Sequence, residues 1–107
     1  MQKAEGSAFR NILVWQRSMD LAREVYSITK QLPKEEQFSL ISQARRCAIS
    51  IPSNIAEGAK RGSKKDFARF LCISAGSAAE LETQMLLMQD LYDTVDCASA
   101  LGLLVEV

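Results

Sequence analysis

Pro52 lies inside a run of apolar residues that keeps helical phase on both sides of it. Leu40, Ile41, Ala44, Cys47, Ala48, Ile51, Ile55 and Gly58 fall on one stripe at the three-and-four spacing of an α-helix. A proline within a helix removes one backbone hydrogen bond, crowds the carbonyl four residues earlier and costs on the order of 3 kcal/mol. The carbonyl concerned is that of Ala48. Because Ala48, Ile51 and Ile55 stay in phase, the pattern predicts a single kinked helix from about Ser39 to Lys60. Ser50, Ser53 and Asn54 are placed to bond the freed backbone groups. Phe38, Ile49 and Ala56 fall on nearly the opposite face, so this helix is expected to be covered on two sides.

The rest of the chain arranges itself around that helix. Val14, Ser18, Leu21, Ala22, Val25, Ile28 and Leu32 predict a first helix over residues 13–32, closed by Pro33. Trp15 is read as its packing anchor. Pro33-Lys-Glu-Glu reads as a connector or one helical turn. Gly58-Ala-Lys-Arg-Gly62 ends the second helix with a glycine cap. Ser63 followed by Asp66 resembles a capping box, opening a third helix from Lys64 to about Tyr92. Its inner stripe runs through Phe67, Phe70, Ser74, Leu81, Met85 and Met88. Ile73, Leu86, Leu87 and Leu91 lie off that stripe, and Gly76, Ala79 and Thr83 form a strip of small residues on the far side. Asp96 is a candidate N-cap for a short fourth helix, Cys97 to Val107, that leans on its neighbours for stability. The chain, 107 residues long, is expected to be one domain over 9–107 behind a disordered tail at 1–8.

Charge is neutral in sum and uneven along the chain. Residues 41–69 carry seven basic groups against Glu57 and Asp66, and residues 70–107 carry six acidic groups and no basic one. The basic groups Arg45, Arg46, Lys60, Arg61, Lys64, Lys65 and Arg69 form the candidate nucleic-acid site. The more conservative alternative is a solvated corner in which Glu57 pairs with Arg61 at i, i+4. Phe38, Ile49, Ala56, Ile73, Gly76, Leu87 and Leu91 are candidate oligomer contacts, since apolar surface of that extent normally marks an interface. Pro52, Asn54, Glu57 and Gly58 are read as structural.

No catalytic residues are assigned. The chain has no histidine, which rules out Cys–His and Ser–His nucleophiles and the Glu-x-x-His pairs of a di-iron bundle. Glu80 and Glu82, two apart, do not face each other on a helix. Three cysteines without a CxxC argue against both a disulfide framework and a zinc site. The expectation is a non-enzyme with no metal, cofactor or small-molecule substrate. No apolar run spans a membrane and the N-terminus lacks an apolar signal core, so a cytoplasmic location is expected.

Three segments carry a resemblance: FRNILVWQRSMDLAREVY (9–26), the Leu32–Glu36 link, and QARRCAISIPSNIAEGAKRGSKKDFARFLCISAGSAAELETQ (43–84). With its SIPSNIAEG core, the chain resembles the bacterial four-helix-bundle family encoded in 23S ribosomal RNA intervening sequences. The resemblance implies an all-α, antiparallel up-down four-helix bundle that assembles as a homopentamer. It also implies a nucleic-acid role through genomic context, and no enzymatic activity. A related branch, the accessory protein of diversity-generating retroelements, is a basic pentameric barrel; this chain departs from it in being neutral. Two functions follow as expectations. One is an oligomeric bundle that contacts RNA, DNA or a nucleoprotein through its basic corner. The other is a structural or adaptor ring that binds another protein.

Overall fold

The structure, a computed structural model, describes residues 8–107. Of the expected tail only Ala8 falls within that range, in a 3-10 turn over Ala8–Asn11; the rest lies outside the described residues. The described chain is all helical, with four α-helices and no strand: α1 (Leu13–Thr29), α2 (Ser42–Lys60), α3 (Lys64–Leu91) and α4 (Ala98–Glu106). At 1.5 Å per residue, α3 alone is about 42 Å long. It accounts for the molecule's longest dimension, 43 Å. The helices form a bundle in which α2 packs most extensively on α3 and next on α1, while α4 lies mainly against α1.

The core follows the stripes read from the sequence. Leu21, Val25 and Ile28 from α1 meet Ala44, Ala48, Ile51 and Ile55 from α2, with Leu81, Met85 and Met88 from α3. Ala44, Ala48 and Ala100 are fully buried. Their small side chains bring the helices close, so the core is close-packed by backbone approach as well as by large side chains. Trp15 is half-buried at the core edge and meets Phe9 edge-on, ring centroids 5.3 Å apart.

Helix α2 continues through Pro52 from Ser42 to Lys60. Its polar neighbours behave differently from the expectation. Asn54 Nδ2 donates to the Ser50 carbonyl at 2.8 Å and to Ser50 Oγ at 3.0 Å, and Ser53 is exposed. Ser74 Oγ, reaching across from α3, donates to the Ile51 carbonyl at 3.0 Å. The polar support beside Pro52 therefore comes partly from the neighbouring helix.

Three boundaries shift. Helix α1 ends at Thr29, not Leu32, with Thr29 Oγ1 donating back to the Val25 carbonyl at 2.9 Å. Such back-bonding competes with the helical ladder near a terminus. The chain then runs through a 3-10 turn, Lys34–Glu36, and a wide π-type turn, Gln37–Ile41. Ser39 breaks the helical path there at φ −128°, ψ −105°, so α2 begins at Ser42 and not at Ser39. Gly58 stays inside α2; the left-handed residue of the corner is Gly62, at φ +83°. Ser63 caps α3 as expected, its Oγ accepting from Asp66 N at 3.1 Å. Cys97, not Asp96, occupies the N-cap of α4, while Asp96 Oδ1 accepts from Ala98 N at 2.9 Å.

Two polar contacts hold the ends of the bundle. Arg17 Nε meets Glu106 Oε1 at 2.8 Å, joining α1 to α4. Tyr92 donates its hydroxyl to Glu36, tying the turn after α3 to the link before α2. The Glu36 carboxylate stabilises the protonated phenol, and with desolvation it holds the Tyr92 pKa up at about 12, from 10.0. The stabilisation from this contact is present below pH 10 and is lost as pH rises through about 12. Tyrosinate absorbance should accordingly show a late-titrating group in the wild type. In Tyr92→Phe that step should be gone, and the tie with it. A titration without any step near pH 12 would contradict the contact.

A basic corner between the second and third helices

The corner is built by three local features. α2 ends on Lys60 and Arg61, Gly62 reverses the chain through its positive φ, and Ser63 caps α3. The reversal sets Lys60, Arg61, Lys64, Lys65 and Arg69 together on the surface, all exposed. Its tightness depends on Gly58. A Cβ there would stand 2.7 Å from Phe70 Cβ and 3.3 Å from Phe67, so only glycine lets α3 cross at this distance.

Phe70 organises two of the five cations. Its ring is 6% exposed, and it carries the Arg61 guanidinium 5.1 Å and the Arg69 guanidinium 4.6 Å from its centroid. Each arginine also meets an acid: Arg61 Nη2 lies 3.0 Å from Glu57, the expected i, i+4 pair, and Arg69 Nη2 lies 3.8 Å from Asp66. Exposed pairs of this kind are each worth only about 0–1 kcal/mol. Stacked guanidiniums held by a fixed ring keep free N–H edges while losing little further freedom on binding. Lys60, Lys64 and Lys65 make no ion pair among the described residues. Five cations against Glu57 and Asp66 leave the corner net positive, and the α3 N-terminus adds partial positive charge to it. Beside it lies an apolar hollow of about 460 Å³ bounded by Phe9, Ile12, Ala59 and Phe67.

Arg45 and Arg46 do not join this group. At 1.5 Å per residue, the helix carries them roughly 20 Å from Lys60. Arg45 faces α1, its Nε donating to Thr29 Oγ1 at 2.8 Å and its guanidinium 4.3 Å over Tyr26. Arg46 borders a separate polar groove of about 440 Å³ between α2 and α3, with Phe38, Cys47, Ser50, Ser77 and Gln84. In that groove Ser50 and Ser77 share a hydrogen bond at 2.9 Å, and Gln84 Nε2 reaches Cys47 Sγ at 3.6 Å. Burial chiefly pushes the Cys47 thiol up, and Glu80 adds to it against the opposing Gln84 bond and Arg46 charge. The thiol is therefore not activated as a nucleophile. Asn54 is spent on the Ser50 bonds and Glu57 on Arg61, consistent with structural roles for both.

Phe38, Ile49, Ile73, Leu87 and Leu91 are exposed, Phe38 to 89%; Gly76 is exposed and Ala56 half-buried. The part played by Phe70 is missing from the sequence reading, which took it as core filling. Its two arginines come from different helices, and only the chain reversal brings Arg61 to it.

Among the described residues no group of three or more His, Cys, Asp or Glu side chains is placed to hold a metal, and no helix is long and apolar enough to cross a membrane. A search among curated proteins finds no match. Residues 10–96 match the family described as 23S rRNA-intervening sequence protein. The match takes in the Pro52 helix, the glycine corner and all of α3, and the chain belongs to that family.

Proposed function

We propose that this chain is a non-enzymatic, homo-oligomeric member of its family, an antiparallel up-down bundle kinked at Pro52, that contacts nucleic-acid phosphates through the corner between α2 and α3. The observation that carries this reading is the disposition of the corner. Three lysines without an ion pair among the described residues flank two guanidiniums set over Phe70, at the positive end of a long helix. Total charge is zero, so attraction comes from this patch and not from the molecule's overall field. In an oligomer, five-membered by the family resemblance, the patch repeats by symmetry, and phosphate contacts multiply along one strand.

Phosphate binding of this kind is salt-dependent and indifferent to sequence. Titration of labelled RNA and DNA across a salt series should give a linear fall in log affinity with log salt. Arg61→Glu combined with Lys64→Glu should weaken binding at least tenfold and lower that slope by about 2, roughly one for each phosphate contact removed. Absence of binding at low salt, or binding untouched by the double substitution, would sink the proposal. A second reading, an adaptor ring for another protein, draws on the exposure of Phe38. It predicts nuclease-resistant association with a protein partner and no nucleic-acid binding.

A further inference from the structure

The hollow beside the basic corner joins aromatic walls to lysines. It holds about 460 Å³ and is lined by Phe9 and Ile12, ahead of α1, and by Ala59 and Phe67, from α2 and α3. Both rings are held in place by the chain itself. Phe9 meets Trp15 edge-on, with 5.3 Å between centroids. Phe67 packs against the core at the close crossing, its Cδ1 3.3 Å from where a Cβ on Gly58 would stand. Walls set in advance lose little freedom when a ligand covers them.

The edge of the hollow is positive. Lys60 and Lys64 border it, both exposed and neither in an ion pair among the described residues. None of its lining residues is acidic, whereas the polar groove at Arg46 carries Glu80. An apolar, aromatic-lined hollow with two lysines at its edge fits a ligand with a flat apolar face and anionic charge close beside it. A nucleotide within a strand has that form: the base offers the face, and a phosphate follows on each side.

We infer that the hollow takes one unpaired base of a single-stranded nucleic acid, packed against Phe9 and Phe67, while Lys60 and Lys64 hold the neighbouring phosphates. This rests on the reading of the corner as a phosphate site and selects the kind of strand the site takes. A base within a duplex is stacked and paired, and extruding it costs free energy. An unpaired base carries no such cost. Stacking on an aromatic ring tolerates any base, because every base has a π-face. The site therefore prefers single strands without reading their sequence. Phosphate contacts alone have the opposite preference, since a duplex carries about twice the charge per unit length of one strand.

Three DNA probes of equal length separate these cases: a single strand of mixed sequence, the corresponding duplex, and a single strand abasic at every position, which keeps the phosphates without the bases. At one low salt concentration the protein should bind the intact strand at least tenfold tighter than the abasic strand, and tighter than the duplex. Phe9→Leu removes a ring and keeps an apolar side chain. It should weaken binding of the intact strand at least fivefold, while abasic-strand binding and its salt slope stay unchanged and show that the corner is intact. Phe9→Tyr, which keeps the ring, should retain the preference. Equal binding of intact and abasic strands, tighter binding of the duplex, or an intact-strand affinity unmoved by Phe9→Leu overturns the base site and leaves the phosphate reading standing. So does a Phe9→Leu loss that falls equally on the abasic strand. No binding of any probe at low salt overturns both.

Discussion

Gly58→Ala should destabilise the protein by about 1–3 kcal/mol, the range for adding volume to a packed core. The usual effect of this change within a helix has the opposite sign, a gain of up to about 1 kcal/mol from reduced backbone entropy and better propensity. Geometry decides against the usual effect. The nearest atom to the new methyl group is Phe70 Cβ, at 2.7 Å, with Phe67 Cδ1 and Phe70 Cγ each at 3.3 Å. A Cβ is fixed to its own backbone and cannot rotate aside, so α2 and α3 must part. Their contact is the most extensive in the molecule. Moving Phe70 would also disturb the ring on which Arg61 and Arg69 rest. Urea unfolding should show a lower midpoint at unchanged slope, the mark of lost stability without change in surface exposed. Gly76→Ala is the internal control, a helix-interior glycine with no neighbour, and should raise the stability of the folded chain by about 1 kcal/mol. If both substitutions moved stability in the same direction, the close crossing at Gly58 would be wrong.

The two glycines also mark how far the sequence could be read. Periodicity located all four helices, because each buries a stripe against the same core and the spacing of apolar residues is a property of the chain alone. It carried α2 through Pro52, and it located Ser63 as the cap of α3 and Glu57 as the partner of Arg61, since these contacts span only three or four residues. What it missed depends on chain geometry or on other helices. The break at Ser39 has neither glycine nor proline beside it to announce a distortion. Gly58 falls on the apolar stripe of α2 in the sequence, but the contact that requires a glycine there is set by Phe70, twelve positions away on another helix. The seven basic groups read as one cluster in the sequence, but the length of α2 separates Arg45 and Arg46 from the other five. Arg45 finds Tyr26 and Thr29, sixteen positions or more away along the chain.

Leu81 and Leu87, six residues apart on α3, should respond differently to alanine. Leu81 is fully buried between α3 and the core. Truncating it leaves a cavity that the close-packed surroundings fill only in part, and the loss should be about 2–5 kcal/mol. A domain of this size has on the order of 5–15 kcal/mol in total, so Leu81→Ala should lose a large share of its stability and unfold at a clearly lower temperature and denaturant concentration than the wild type. Leu87 is 44% exposed on the outer face of α3. In an isolated chain its truncation should change stability by no more than about 0.5 kcal/mol. In an assembled particle the two substitutions separate by concentration. The Leu81→Ala loss lies inside each chain and should be nearly constant as protein is diluted. The Leu87→Ala loss acts through association, so the melting difference from wild type should grow with protein concentration as assembly comes to stabilise the wild type more than the variant. A Leu87→Ala melt that tracks the wild type at every concentration would remove this flank from any interface, while leaving the core assignment of Leu81 intact.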